Sequence, residues 1–91
     1  MASKSDLLNA VRRASRDAKL LDAFLCDLLT PDEYKELIRR WHIVRELHQG
    51  IPQRRIASRL GMGIATITRG SRMLKNKQGG FHKILQTYEM H

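Results

Sequence analysis

A single cysteine, Cys26, rules out an internal disulfide, and with no CxxC partner or other ligand companion it gives no zinc signature. A buried thiol is the role expected for it. Prolines number only two, Pro31 and Pro52, and no stretch alternates apolar with polar residues, so helices can run long and a sheet is excluded. No apolar run is long enough to span a bilayer and no signal-peptide pattern precedes the first helical stretch, which points to a cytoplasmic protein with no membrane role. Catalytic patterns are missing too. No glycine-rich phosphate loop follows a strand, and no histidine stands at a recognisable spacing from a carboxylate. His42, His48, His82 and His91 are scattered, with the first two on different faces of one helix, so neither an enzyme nor a metal site is expected. Acid is scarce. Nine Asp and Glu face seventeen Lys and Arg, a net charge of +8, and such a chain seeks a polyanion. The bases are spread over several helical stretches rather than gathered on one face opposite aromatics, which favours nucleic acid over a membrane surface.

Residues 1–91 form one small domain, and a monomer of this length buries a marginal core, so oligomerisation fits. From Ser5 to about Ala18, Leu7, Leu8, Val11 and Ala14 recur at helical spacing with Arg12, Arg13 and Arg16 on the other side. The arginines read as a solvated face before a DNA-facing one. Leu20, Leu21, Phe24, Leu25 and Leu28 make a second stripe ending at Thr30. Thr30, Pro31 and Glu33 then open a long helix: the threonine caps the first amides, proline takes the first helical position, and the glutamate returns a bond to the cap. Tyr34, Leu37, Ile38, Trp41, Val44 and Leu47 continue it until Gly50. Trp41 reads as a core or subunit-interface residue. After a polar connector, NKQGG, the residues Phe81, Ile84, Leu85 and Tyr88 give a short terminal helix, for which a lone monomer offers little to pack against.

Between these lies Gly50 to Lys75, GIPQRRIASRLGMGIATITRGSRMLK, which reads as two short helices about a glycine turn, a helix-turn-helix over about 53–75. Ile56, Leu60 and Ile67 supply apolar contacts, Ala57 is small where the helices cross, and Gly61 takes the turn. Gln53 starts the first helix, with Arg54, Arg55 and Arg59 on it. The second, from about Ile64, follows Gly63 and opens with Ile64, Ala65, Thr66 and Thr68, short side chains suited to a close approach to base edges. Arg69, Arg72 and Lys75 follow. Basic flanks of this kind meet the phosphates that border a groove, and these residues are the candidates for DNA contact.

The run GIATITRGS at Gly63 to Ser71, with LTPDE at Leu29 to Glu33 and the placement of Arg40, resembles the tryptophan repressor family over about Leu28 to Lys75. The resemblance implies an all-α fold of about six helices, intertwined as a homodimer, in a transcriptional repressor that takes L-tryptophan as corepressor before binding a palindromic operator. By the same resemblance, Arg40 and Arg69 hold the indole between them, Thr30 stands beside the ligand, Gly70 lines the pocket, and the backbone carbonyls of Asp27 and Leu29 receive the ammonium group. Guanidinium planes suit the first task, since they stack on aromatic faces and can pair with a carboxylate. Arg54 matches the arginine that reads a base. The chain departs from the family at Met73, where serine is usual, at Asp27, where leucine is common, and in a connector after Gly50 one residue shorter. Two other readings stand beside this one: a related DNA-binding protein with another ligand or none, and a helical module of a transposition or replication complex.

Overall fold

A computed structural model describes residues 3–89; His91, the last of the four histidines, lies outside them. The described chain is all-α, with six helices: α1 Lys4–Ala14, α2 Ala18–Leu28, α3 Pro31–His48, α4 Gln53–Leu60, α5 Ile64–Lys75 and α6 Gly80–Tyr88. The residues fall into two units, one ending at Leu37 and the other beginning at Ile38.

In the first unit, Ser3 caps α1 by accepting the Asp6 N–H at 3.1 Å. The helix stops at Ala14, short of the expected Ala18, because Asp17 accepts the Lys19 N–H at 3.1 Å and so starts α2. Where α2 ends, the reciprocal pair expected at Thr30 is present. The Glu33 N–H donates to Thr30 Oγ1 at 3.2 Å, and the Thr30 N–H donates to Glu33 Oε1 at 2.8 Å. The Tyr34 hydroxyl donates to Asp22 Oδ1 at 2.8 Å, which raises its pKa. Cys26, expected to be buried, is exposed, with Sγ 3.8 Å from the same carboxylate oxygen. Ala14 is the sole buried apolar residue described up to Leu37, while Leu8 and Leu28 stay 56% and 53% exposed.

The second unit is built on the face of α3 that carries Ile43 and Leu47. Ile43, Ile56, Ala57 and Ile67 form the core, and Leu47, Ile51, Leu60 and Met62 pack around it. Two turns of one design enter this core. After α3, Gly50 takes φ +88°, its N–H donates to Leu47 O at 3.0 Å, and the Ile51 N–H donates to Glu46 O at 3.1 Å. After α4, Gly61 takes φ +63°, its N–H donates to Ser58 O at 3.3 Å, and the Met62 N–H donates to Ala57 O at 3.0 Å. Both are Schellman endings, in which the residue after the left-handed glycine returns an apolar side chain to the helix it leaves.

A second face of α3 holds α6. Trp41 packs its ring against Phe81 and Tyr88, with centroids 6.1 and 6.4 Å away, Arg45 lies 4.6 Å over the Tyr88 ring, and His48 Nε2 is 2.7 Å from Glu89 Oε1. Leu85 is buried. The terminal helix therefore finds its partner within its own chain, which the sequence reading did not anticipate.

The glycines of α5 and of the turn before it should respond to alanine with opposite signs. Nothing lies within 4 Å of a Cβ added at Gly61, so Gly61→Ala costs only the left-handed backbone, about 1 to 2 kcal/mol of unfolding free energy. In the middle of α5, a Cβ at Gly70 would meet Leu47 Cδ1 at 3.6 Å and Ile43 Cγ2 at 3.7 Å, which is ordinary contact. Gly70→Ala should then stabilise by about 0.5 to 1 kcal/mol, and urea unfolding of both variants checks the pair.

Candidate nucleic-acid interface

The helix-turn-helix occupies the residues at which it was expected, α4 from Gln53 and α5 from Ile64 to Lys75. Ile56 and Ile67 are both 0% exposed, which fixes the two helices against each other and against Ile43. A polar tie closes the open side of the pair: the Thr68 hydroxyl lies 3.0 Å from Gln53 Oε1 and 3.0 Å from Ile64 O, and its one hydrogen serves one acceptor at a time. With Gln53 Oε1 turned to Thr68, the Gln53 amide NH2 remains to donate outward.

Neither helix start carries a side-chain cap. Pro52 precedes α4 and Gly63 precedes α5, and neither can supply a side-chain acceptor to the first amides. Backbone N–H groups in a first turn have no partner inside their own helix and lie at the positive end of its dipole, so such a start suits an anionic acceptor. Ile64, Ala65 and Thr66, on the first turn of α5, are exposed, as are Arg54 and Arg55 on α4 and Arg72 and Lys75 near the end of α5. Arg54, Ala57, Ser58, Gly61, Met62 and Ile64 line an open hollow of about 550 Å³ where α4 meets the turn.

Arg59 is the exception among the expected DNA contacts. Its Nη2 donates to both carboxylate oxygens of Glu46, a residue of α3 that is 5% exposed, and His42 Nε2 approaches the same carboxylate at 2.9 Å. The hydrogen bond from Arg59 holds the Glu46 carboxyl below the usual range against the opposing effect of burial, and Glu46 in turn raises the Arg59 pKa. This pair clamps α4 to α3. Glu46 had no place in the sequence reading; the available signal was an acid set between Ile43 and Leu47 in a strongly basic chain.

The residues matched to the corepressor fall into two sets. Arg40 stands on α3 and Arg69 and Gly70 on α5, in the unit from Ile38 onward, and both arginines are exposed. The two helices pass side by side at Gly70, which faces the Leu47 and Ile43 side chains. Asp27, Leu29 and Thr30 belong to the other unit, at the end of α2 and the start of α3. Thr30 Oγ1 accepts the Glu33 N–H, so its own hydroxyl hydrogen is left to donate.

Two short helices crossed on isoleucines about a left-handed glycine, with basic side chains and open amides on their exposed side, define a helix-turn-helix protein. The chain belongs to the Trp repressor family: the family model described as Trp repressor protein matches residues 3–89, through both units. That is a family of DNA-binding transcription regulators, not of enzymes. The Trp operon repressor homolog of Vibrio vulnificus (strain YJ016) is 53% identical over 64 residues, 69% of this chain and 63% of the relative. Its counterpart in Vibrio parahaemolyticus serotype O3:K6 is 48% identical over 66 residues, 71% of this chain and 64% of the relative. The Trp operon repressor homolog of Photobacterium profundum is 44% identical over 72 residues, 78% of this chain and 69% of the relative. The chain thus spans less than two thirds of the length of the two Vibrio relatives. No solved structure matches it significantly.

Glu46→Gln keeps the shape of the clamp and removes its charge. Because the folded carboxyl titrates below its ordinary range, its contribution is complete above that range and is lost as pH falls through the lowered value. With Arg59 half exposed and able to rehydrate, the variant should be about 1 to 2 kcal/mol less stable at neutral pH. Urea titrations at neutral and strongly acid pH should show that gap closing in acid.

Proposed function

We propose that this protein is a transcriptional repressor that binds a near-palindromic DNA operator as an intertwined homodimer and is gated by L-tryptophan. The observation that carries the reading is the helix-turn-helix itself, with its uncapped α4 and α5 starts and its exposed Arg54, Arg55, Arg72 and Lys75, in a chain of the Trp repressor family. Arg54 reads a guanine, so Arg54→Ala costs about 1 to 3 kcal/mol on a duplex selected from a random library and relaxes preference at one position. Lys75 meets phosphate, and Lys75→Ala weakens selected and random duplexes alike.

The corepressor reading is supported by the way α3 and α5 run together at Gly70, so that Arg40 and Arg69 stand on adjoining helices. The two guanidinium groups take the indole of tryptophan and one also pairs with its carboxylate, while the family resemblance gives its ammonium group to the carbonyls of Asp27 and Leu29 and sets Thr30 beside the ligand. Carbonyls at a helix C-terminus favour a cation. Tryptophan wedged between α3 and α5 would hold α5 at the angle that fits the major groove, a shift in population toward the binding-competent arrangement. Met73, 37% exposed and four residues beyond Arg69 on the same side of α5, favours a second reading in which a different ligand, or none, is taken at this place.

Isothermal titration of L-tryptophan, with and without the selected duplex, separates the two. A coupling of about 1 to 3 kcal/mol makes DNA roughly 5 to 150 times tighter with tryptophan, and tryptophan tighter with DNA by the same factor. Arg40→Ala should remove that gain. Equal affinity with and without millimolar tryptophan would eliminate the gate and leave the second reading.

The dimer is supported by the apolar residues left exposed up to Leu37 and by Ile38, at 60% exposure. Light scattering at micromolar concentration should give twice the monomer mass, and half-sites should lie about one DNA turn, ~34 Å, apart, the spacing characteristic of helix-turn-helix dimers, this family included. A monomeric mass would sink this part of the proposal.

A further inference from the structure

Outside the helix-turn-helix, the residues Asn9, Arg12, Arg13 and Arg16 line one open hollow of about 630 Å³ on α1 and the turn after it. Its lining residues are three arginines and one asparagine, so the polar groups it gathers suit an anion presented by a larger surface. Among the described residues no ion pair engages Arg12, Arg13 or Arg16. Nearby acid is already committed or set apart: Asp17 caps α2 through the Lys19 N–H, and Asp6 lies in the first turn of α1. Arg12 and Arg13 gain from the negative end of the α1 dipole, but that effect does not account for Arg16, beyond the helix, or for the convergence of all four side chains on one hollow.

Helical geometry separates this face from the apolar one. At about 100° per residue, Leu7, Leu8, Val11 and Ala14 centre on one side of α1, and Asn9, Arg12, Arg13 and the continuation to Arg16 centre roughly opposite. A second copy covering the leucines would leave the arginines in solvent. Arginine forks match phosphate oxygens bidentately, and an asparagine adds a neutral donor.

We infer that Asn9, Arg12, Arg13 and Arg16 form a second contact for duplex DNA, binding backbone phosphates independently of sequence. The inference rests on the DNA-binding function proposed above and adds a site in the other unit of the chain. Such a contact contributes affinity and salt dependence but no base preference.

The test measures binding as a function of salt on a library-selected duplex and on a mixed-sequence duplex, with the full chain. Arg12→Ala, Arg13→Ala and Arg16→Ala together should make the slope of log K against log salt shallower by about 0.9 per phosphate lost, roughly 2 to 3 for each protomer, on both duplexes and with the preferred sequence unchanged. The three Arg→Lys changes together should recover most of the slope. A control of equal charge, Lys19→Ala with Lys35→Ala and Lys83→Ala, removes exposed lysines from α2, α3 and α6 and should shift the slope much less. If circular dichroism shows the alanine variant losing helix, the three Arg→Gln changes are read in its place. An unchanged slope in a folded variant, or an equal loss in the lysine control, overturns the inference while leaving the helix-turn-helix reading intact. Failure of the unmodified protein to bind either duplex at low salt overturns both.

Discussion

Ile43, Ile56 and Ile67 meet with almost no exposure, and the second unit depends on that contact. Each isoleucine comes from a different helix, so one small cluster sets α4 and α5 against α3 at once. β-Branched side chains have few rotamers, so three of them in contact give a stiff joint that little else could hold in so short a chain. The Glu46–Arg59 clamp works at the rim of this cluster. Its position explains why a buried carboxylate is tolerated: the arginine supplies two hydrogen bonds and the histidine of the preceding turn a third contact. Stability and positioning are then the same thing here, because whatever loosens the isoleucine contact also releases the helix that presents the exposed amides and arginines.

α3 serves two masters through two faces. Ile43 and Leu47 face the helix-turn-helix, while Trp41, Arg45 and His48 face α6. The long helix can do this because its length gives both stripes several turns, and because neither stripe needs the other's side chains. By contrast, the helices before Leu37 have one buried apolar residue between them and keep their leucines outward. Such a segment buries little apolar surface to offset its own ordering, and the proposed second copy would cover the leucines it leaves outward.

Local signals were the legible ones. The Thr30 and Glu33 pair, the glycine turn at Gly61 and the limits of α4 and α5 could be read in the sequence because each is decided by residues within a few positions of one another. The end of α1 is not legible in the sequence because Ser15, Arg16 and Asp17 include neither glycine nor proline; the stop is made by Asp17 capping the next helix. A lone cysteine with no ligand companion reads as buried, but which side of α2 faces outward depends on contacts distant in sequence, and Cys26 is exposed. Glu46 and Arg59, 13 residues apart, escaped for the same reason, as did the docking of α6 on Trp41. The candidate ligand residues became visible through family resemblance, not through periodicity, which sees Arg40 and Arg69 only as two basic residues on two helices.

The paired Schellman endings also bear on how this chain can vary in length over evolution. In each connector, Gln49 to Pro52 and Gly61 to Gly63, the residue after the left-handed glycine is spent on the core: Ile51 in one, Met62 in the other. At Gly61 an inserted residue would turn α5 by about 100° or draw Met62 out of the core, and either change breaks the isoleucine contact. The turn from Ser15 to Asp17 has no such anchor, its three side chains being exposed. Insertions and deletions among related chains should therefore gather between α1 and α2 and avoid the turn at Gly61, leaving the spacing of α4 and α5 fixed.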